Sequence, residues 1–311
     1  MGVAEESRGL WFSPRRRAVG DREKDTSTPK SFFSTASAST SWGEDSKGSD
    51  DSDREDGFDP IELADSLEKG LSRESATTEF MVPLTQTDNL VRYTVMRSED
   101  SREYRLFSDS LDFLLYARMR PAARRIDIFC YDPQEAGDNL FDSSRPAFTL
   151  THDAGGLAWR LVRNRCDHCA FSPKSCCCSG KQQVACVRHL TKNTGKCVSN
   201  CMEAKIPGLQ ADGNPVIWCS RLGASVLNEA ETLVSKLPVW NEEFECLVLE
   251  FEGKRSVQAS PQNFQLALPD APDKVVCQYG QVGPRMFGLD FRRPLSIVQA
   301  FALALSASLL K

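Results

Sequence analysis

The chain has 311 residues, with 38 Lys and Arg against 43 Asp and Glu, for a formal net charge of −5. That length predicts one large domain or two small ones, with enough chain to bury a sizeable core. Residues 1–75 hold 11 basic and 17 acidic side chains, so the negative charge belongs to that segment; the near-neutral remainder argues against nucleic acid as the main partner.

The opening segment is rich in Ser, Asp, Glu and Gly and poor in residues to bury, a composition that predicts a disordered acidic tail over 1–78. Leu10-Trp11-Phe12 is far too short for a signal segment, and Met1-Gly2 lacks the Ser or Thr at position 6 that myristoylation wants. Twelve cysteines without a secretion signal predict reduced thiols in a cytoplasmic setting. Within the tail, Pro60 to Leu67 reads as one or two helical turns, a transient helix or a short docking motif.

From Leu90 the apolar period becomes two. Leu90–Met96, Tyr104–Phe107, Asp112–Arg120, Ile126–Cys130, Ala147–Thr151 and Leu157–Val162 read as strands, with Gly155-Gly156 as a turn. Further on, Phe244–Phe251, Asn263–Leu268, Val275–Tyr279 and Met286–Phe291 continue the pattern. The end of the chain differs. Residues 295–310 (LSIVQAFALALSASLL) are apolar on every face of a helical wheel, with Pro294 placed to open the first turn and Gln299 the one polar group near the middle. Such a helix is buried all round, in protein or in lipid. At about 1.5 Å per residue it falls short of a bilayer, so enclosure by the preceding strands is the expectation. Many short strands followed by one apolar helix predict a mainly β fold: a closed antiparallel barrel filled by its C-terminal helix.

The basic residues of this domain are concentrated. Arg118-Met119-Arg120-Pro121-Ala122-Ala123-Arg124-Arg125 carries four arginines with no acid between Leu114 and Ile126. Arg118 and Arg120, two apart on a strand, point the same way, and Pro121 turns the chain so that Arg124 and Arg125 open the next strand. Arg160, Arg163 and Arg165 form a second group on a neighbouring strand. Guanidinium groups grip phosphate in pairs of hydrogen bonds, so their convergence suits a multiply phosphorylated ligand; composition alone favours a solvated basic hairpin over a ligand site.

The cysteines offer another reading. Cys166-x2-Cys169 and Cys186-x2-His189 have zinc-ribbon spacing, and Cys176-Cys177-Cys178 in a polar loop suits either S-acylation or a plain reduced loop. No catalytic set is visible: His152 beside Asp153 is an isolated pair, with no Gly-rich phosphate loop or nucleophile elbow, so no enzyme is expected and no cofactor.

A series of motifs carries a family likeness. Pro238-Val239-Trp240-Asn241, Phe251-Glu252-Gly253-Lys254, Asn263-Phe264-Gln265, Gln278-Tyr279-Gly280-Gln281-Val282, Asp290-Phe291 and Gln299-Ala300-Phe301-Ala302 follow one another in the order found in the C-terminal domain of tubby-like proteins. Gln182–Leu209 and Phe113-Leu114-Leu115 match as well, so residues 79–311, with a Cys-rich segment at 166–201, resemble a divergent member of that family. The likeness implies a barrel threaded by the C-terminal helix. It also implies binding of phosphatidylinositol 4,5-bisphosphate through the basic hairpin (Arg118, Arg120, Arg124 and Arg125, joined by Arg160 and Arg163), membrane tethering and recruitment of protein partners or cargo. Met119 replaces the central lysine of the family's Arg-Lys-Arg run, and Pro261 and Gln262 interrupt its Ser-Val-Lys-Asn-Phe stretch. The match places Cys186 and His189 on one strand at odd separation, which argues against a shared metal. Expected locations are the cytoplasm and the periphery of a plasma-membrane or ciliary membrane, with a nuclear role also implied. The alternatives are a scramblase-like or lipid-modified membrane protein, and a zinc-bound interaction scaffold.

Overall fold

The computed structural model describes the backbone of residues 8–11 and, beyond it, residues 77–130 save 86 and 88, 146–164, 181–193, 198–219 save 212, 230–243 and 246–309. These belong to the unit made of Met1–Ser13 and Asp56–Lys311. The expected helical turns at 60–67 and most of the tail lie outside the described residues. Six tail residues do not: Thr77 and Thr78 at its end, and Arg8–Trp11, which form a strand, β1, where composition predicts none.

The strands that follow are β2 (Val91–Arg97), β3 (Glu103–Ser108), β4 (Phe113–Arg120), β5 (Arg125–Cys130), β6 (Phe148–His152), β7 (Ala158–Arg163), β8 (Gln182–Asn193) and β9 (Val198–Pro207). Then come β10 (Trp218–Cys219), β11 (Ala230–Ser235), β12 (Val239–Asn241), β13 (Cys246–Glu250), β14 (Phe264–Leu268), β15 (Ala271–Gly283) and β16 (Met286–Phe291), and the chain closes with helix α1 (Ile297–Ser308). Neighbouring strands pair antiparallel in the order β8-β7-β6-β5-β4-β3-β2-β16-β15-β14-β11-β9, and β9 returns to β8, closing a ring of twelve. Closure leaves the ring without an open edge to pair with another chain.

Period-two alternation sorts each strand. In β5, Ile126 and Ile128 join the barrel core while Arg125 and Asp127 occupy the other face. Tyr93, Leu106, Phe148, Leu161, Leu266, Tyr279, Phe287 and Leu289 fill the interior from around the ring, each with no exposed surface. β1, β13 and β12 form a second, small sheet. Its strand β13 leads into Phe251 and Val257, which cover the outer wall at Gly280: a Cβ there would stand 2.7 Å from Val257 Cγ1 and 2.9 Å from Phe251 Cε1. Only glycine permits that approach.

Every residue of α1 is buried. Alanines at 300, 302, 304 and 307 keep the helix slim, while Phe301, Leu303 and Leu305 reach the barrel wall. Its polar groups are all answered internally. Gln299 donates to the Val184 carbonyl (3.1 Å) and accepts from the Ser296 amide (2.9 Å); Ser306 and Ser308 donate to the Leu303 and Ala304 carbonyls, and the Ser308 hydroxyl meets that of Tyr279 at 3.0 Å. The helix starts later than Pro294 predicts. Ser296 is the N-cap, in extended conformation, because Leu295 must first accept the Leu84 amide (3.2 Å) and Ser296 bridges to Pro83. At about 1.5 Å per residue the twelve residues span roughly 18 Å, and among the described residues no helix is long and apolar enough to cross a membrane.

His189, which the zinc-ribbon spacing would make a ligand, points into this core and is 3% exposed, on the face of β8 opposite to Cys186. The two cannot share a metal. Cys166 and Cys169 lie outside the described residues, as do Cys176, Cys177 and Cys178. Burial pulls the His189 pKa from 6.5 to about 4. The unfolded chain therefore takes up a proton between those values that the folded chain refuses. The corresponding stability is fully present above pH 6.5 and lost as pH falls toward 4, by about 3 kcal/mol in all. Urea midpoints measured across that window should fall steeply for the wild type and more gently for His189→Leu; parallel curves would contradict the assignment.

Candidate functional site

The basic hairpin occupies one rim of the barrel, where β4 ends and β5 begins. In β4, Leu115, Ala117 and Met119 pack on the core and Tyr116, Arg118 and Arg120 take the outward positions. Met119, the residue that departs from the tubby run, is thus an inward one between two outward arginines. Pro121–Ala123 form a 3-10 turn, and Arg124 follows in left-handed conformation (φ 51°, ψ 44°), its amide donating to the Pro121 carbonyl. The Arg124 carbonyl accepts the His152 amide at 3.2 Å, which ties this turn to the end of β6.

Register then assembles a row across the wall. Arg120 stands opposite Arg125, Arg125 opposite Thr151, Thr151 opposite Arg160, Arg160 opposite Cys186 and Cys186 opposite Lys205. Directly opposed residues in a ladder share a face, so four cations from β4, β5, β7 and β9 line one strip of the outer surface. Arg118 lies one step along β4 on the same face.

Two carboxylates hold the arginines of this cluster, and Glu203 stands 3.8 Å from Lys205. Asp127, its side chain only 3% exposed, takes Arg125 on both oxygens (Nε–Oδ1 2.9 Å, Nη2–Oδ2 3.2 Å) and Arg120 on one (Nε–Oδ2 3.3 Å). Like charges directly opposed at Arg120 and Arg125 would repel; the buried carboxylate that both guanidinium groups reach makes the pairing tolerable and fixes them in place. Glu103 stands 4.0 Å from Arg118 and 3.6 Å from Arg105. Burial pushes the Tyr116 hydroxyl well above the ordinary phenol range, and its hydrogen bond to Glu103 adds to the rise. Glu103 is therefore shared among three partners. Against these two acids stand five arginines, of which Arg124, Arg125 and Arg160 are exposed. The corner carries surplus positive charge.

Cys186 registers the same field. Burial raises its thiol pKa, while Arg160 and Lys205 pull the other way. Arg163 does not join. It follows Trp159 and Leu161 on the inward face of β7, is 3% exposed and donates to the Thr78 hydroxyl at 3.0 Å. Its odd separation from Arg160 already places the two on opposite faces. Arg165 lies outside the described residues. Sequence reasoning missed Lys205 and the role of Glu103, which depend on register, and Asp127, whose outward position the alternation of β5 contains.

With this geometry in place, comparison with known proteins decides the family. The model of the Tub family matches residues 81–308. The chain belongs to the Tub family. Tubby protein homolog 1 of Caenorhabditis briggsae is 34% identical over 143 residues, covering 41% of this chain and 33% of the relative. Tubby-related protein 1 of Homo sapiens is 36% identical over 140 residues (41% and 25%), and Tubby-related protein 2 of Mus musculus is 48% identical over 75 residues (24% and 13%). The Tub-family chain thus matches a third or less of the length of each of these relatives. A tubby-like domain, a closed barrel with a helix through it, is what the match and the strand order jointly establish.

Proposed function

We propose that the barrel is a membrane-tethering module that binds a phosphoinositide headgroup, phosphatidylinositol 4,5-bisphosphate in particular, through Arg118, Arg120, Arg124, Arg125 and Arg160, with Lys205 at the edge. The observation that carries this reading is the strip of outward cations from separate strands, oriented by a buried carboxylate and in excess over it. Such a strip offers paired donors to several phosphate oxygens at once, which a single mobile lysine cannot do. The inward position of Met119 leaves the outer strip intact despite the altered run. On this reading the domain sits peripherally on a phosphoinositide-bearing membrane, and the N-terminal segment recruits a protein partner or cargo. The enclosed helix serves as core and not as an anchor, which disfavours the scramblase-like alternative.

The test uses Arg118→Ala/Arg160→Ala, because Asp127 keeps both its partners in that variant and Glu103 is exposed enough to be hydrated. Each lost charge-assisted contact is worth about 1.5 kcal/mol or more, so affinity for vesicles containing the bisphosphate lipid should fall roughly a hundredfold. Cosedimentation that leaves the variant equal to the wild type would eliminate the site.

A further inference from the structure

Seven large apolar side chains are well exposed among the described residues, and their placement is uneven. Met96, Leu157, Val198, Leu237 and Met286 lie toward the rim that carries the arginines; Leu111, 73% exposed, lies at the opposite rim, and Val239 belongs to the small second sheet. Strand direction fixes this division: β2, β4, β6, β8 and β11 end at the basic rim, and β5, β7, β9 and β16 begin there. Single exposed apolar residues are ordinary, but a bias of this kind toward one charged rim is not what scatter produces.

Leu157 is the most telling of them. It is 53% exposed where the β6–β7 turn enters β7, on a backbone fastened from several sides. The Asp153 carboxylate accepts the amides of Leu157 (2.9 Å) and Ala158 (3.3 Å), and the Asp153 carbonyl accepts Gly156 (3.1 Å). Trp159 donates from its indole to the Gly156 carbonyl (3.0 Å), and the Leu157 carbonyl accepts His189 (2.8 Å). His152, at the foot of this turn, is bonded to Arg124 at the tip of the basic hairpin. A leucine so fastened is held out beside the arginines. On the other flank, two strands from β4, Met96 and Met286 stand directly opposite one another on β2 and β16.

We propose that this rim is the face that rests on the bilayer, with Leu157 on one side of the arginine corner and the Met96–Met286 pair on the other entering the boundary between headgroups and acyl chains. The proposal rests on the headgroup reading and adds an orientation to it. Charge complementarity selects the occupant: cations between two apolar contacts match a surface whose phosphates lie just outside its hydrocarbon, and match an ordinary protein partner less well.

The experiment separates the lipid surface from its headgroup. The 311-residue wild type, Leu157→Gln/Met96→Gln and, as control, Leu111→Gln are titrated with phosphatidylcholine vesicles bearing the bisphosphate lipid and, separately, with soluble inositol trisphosphate. The neutral replacements leave the arginines' charge unchanged, and retained trisphosphate binding certifies the fold. The expected result is about tenfold weaker vesicle binding for the double variant alone, with trisphosphate affinity equal in all three. If the double variant binds vesicles as the wild type does, the orientation is overturned while the headgroup site stands. If the wild type binds neither vesicles nor trisphosphate, the headgroup reading fails and takes this one with it.

Discussion

Phe301→Ala should lower the unfolding free energy of the domain by about 3–5 kcal/mol, a large share of the 5–15 kcal/mol a domain of ordinary stability possesses. Phe301 lies in the middle of α1, is fully buried and belongs to the core cluster that joins helix and strands. The barrel cannot contract around the space left by the ring. Its circumference is fixed by twelve hydrogen-bonded strands, and core side chains of its wall such as Tyr279 and Phe287 are already held in stacked contact (ring centroids 5.0 Å apart). The deletion therefore costs both the transfer of the side chain and the cavity it leaves. Chemical denaturation followed by fluorescence measures it. A loss below about 1 kcal/mol would mean that the helix is not enclosed as described.

The second large effect concerns the carboxylate beneath the site. Arg120→Ala/Arg125→Ala leaves Asp127 buried and charged with neither guanidinium to answer it. Stranding a buried charge costs several kcal/mol; because both arginine heads are partly solvated in the wild type, about 3 kcal/mol is the expected destabilisation. Adding Asp127→Asn should return most of it, since the neutral amide needs no counter-charge. Headgroup binding should stay lost in the triple variant. Stability that remains low after Asp127→Asn would show that the arginines matter for packing rather than for charge.

What the sequence made legible follows from short-range rules. An apolar wheel with no polar stripe has to be sheathed, and α1 is. Period two placed β2 to β7 within a residue or two of their ends, because each has one face in the core. β11 and β12 were not legible. Ala230–Ser235 lacks clean alternation, and its place between β9 and β14 is set by chain closure, which no local pattern encodes. β15 runs well beyond Val275–Tyr279 because its exposed first residues, Pro272-Asp273-Lys274, break the apolar pattern although the strand is already paired at Ala271. At the site, the clustering of arginines was visible but their sorting was not used. Parity along β7 separates Arg160 from Arg163, and parity along β5 brings Asp127 beside Arg125. Glu103 and Lys205 enter only through register with other strands, so they needed the fold.

The central claim is that outward arginines held in fixed relation recognise clustered phosphates rather than negative charge in general. The most direct measurement compares binding of the full chain to vesicles bearing phosphatidylinositol 4,5-bisphosphate with binding to phosphatidylserine vesicles of equal surface charge. The account predicts at least tenfold preference for the bisphosphate lipid, about 1.4 kcal/mol, and its disappearance in Arg118→Ala/Arg160→Ala. Equal affinity for the two membranes, or a preference that survives in the variant, would contradict it.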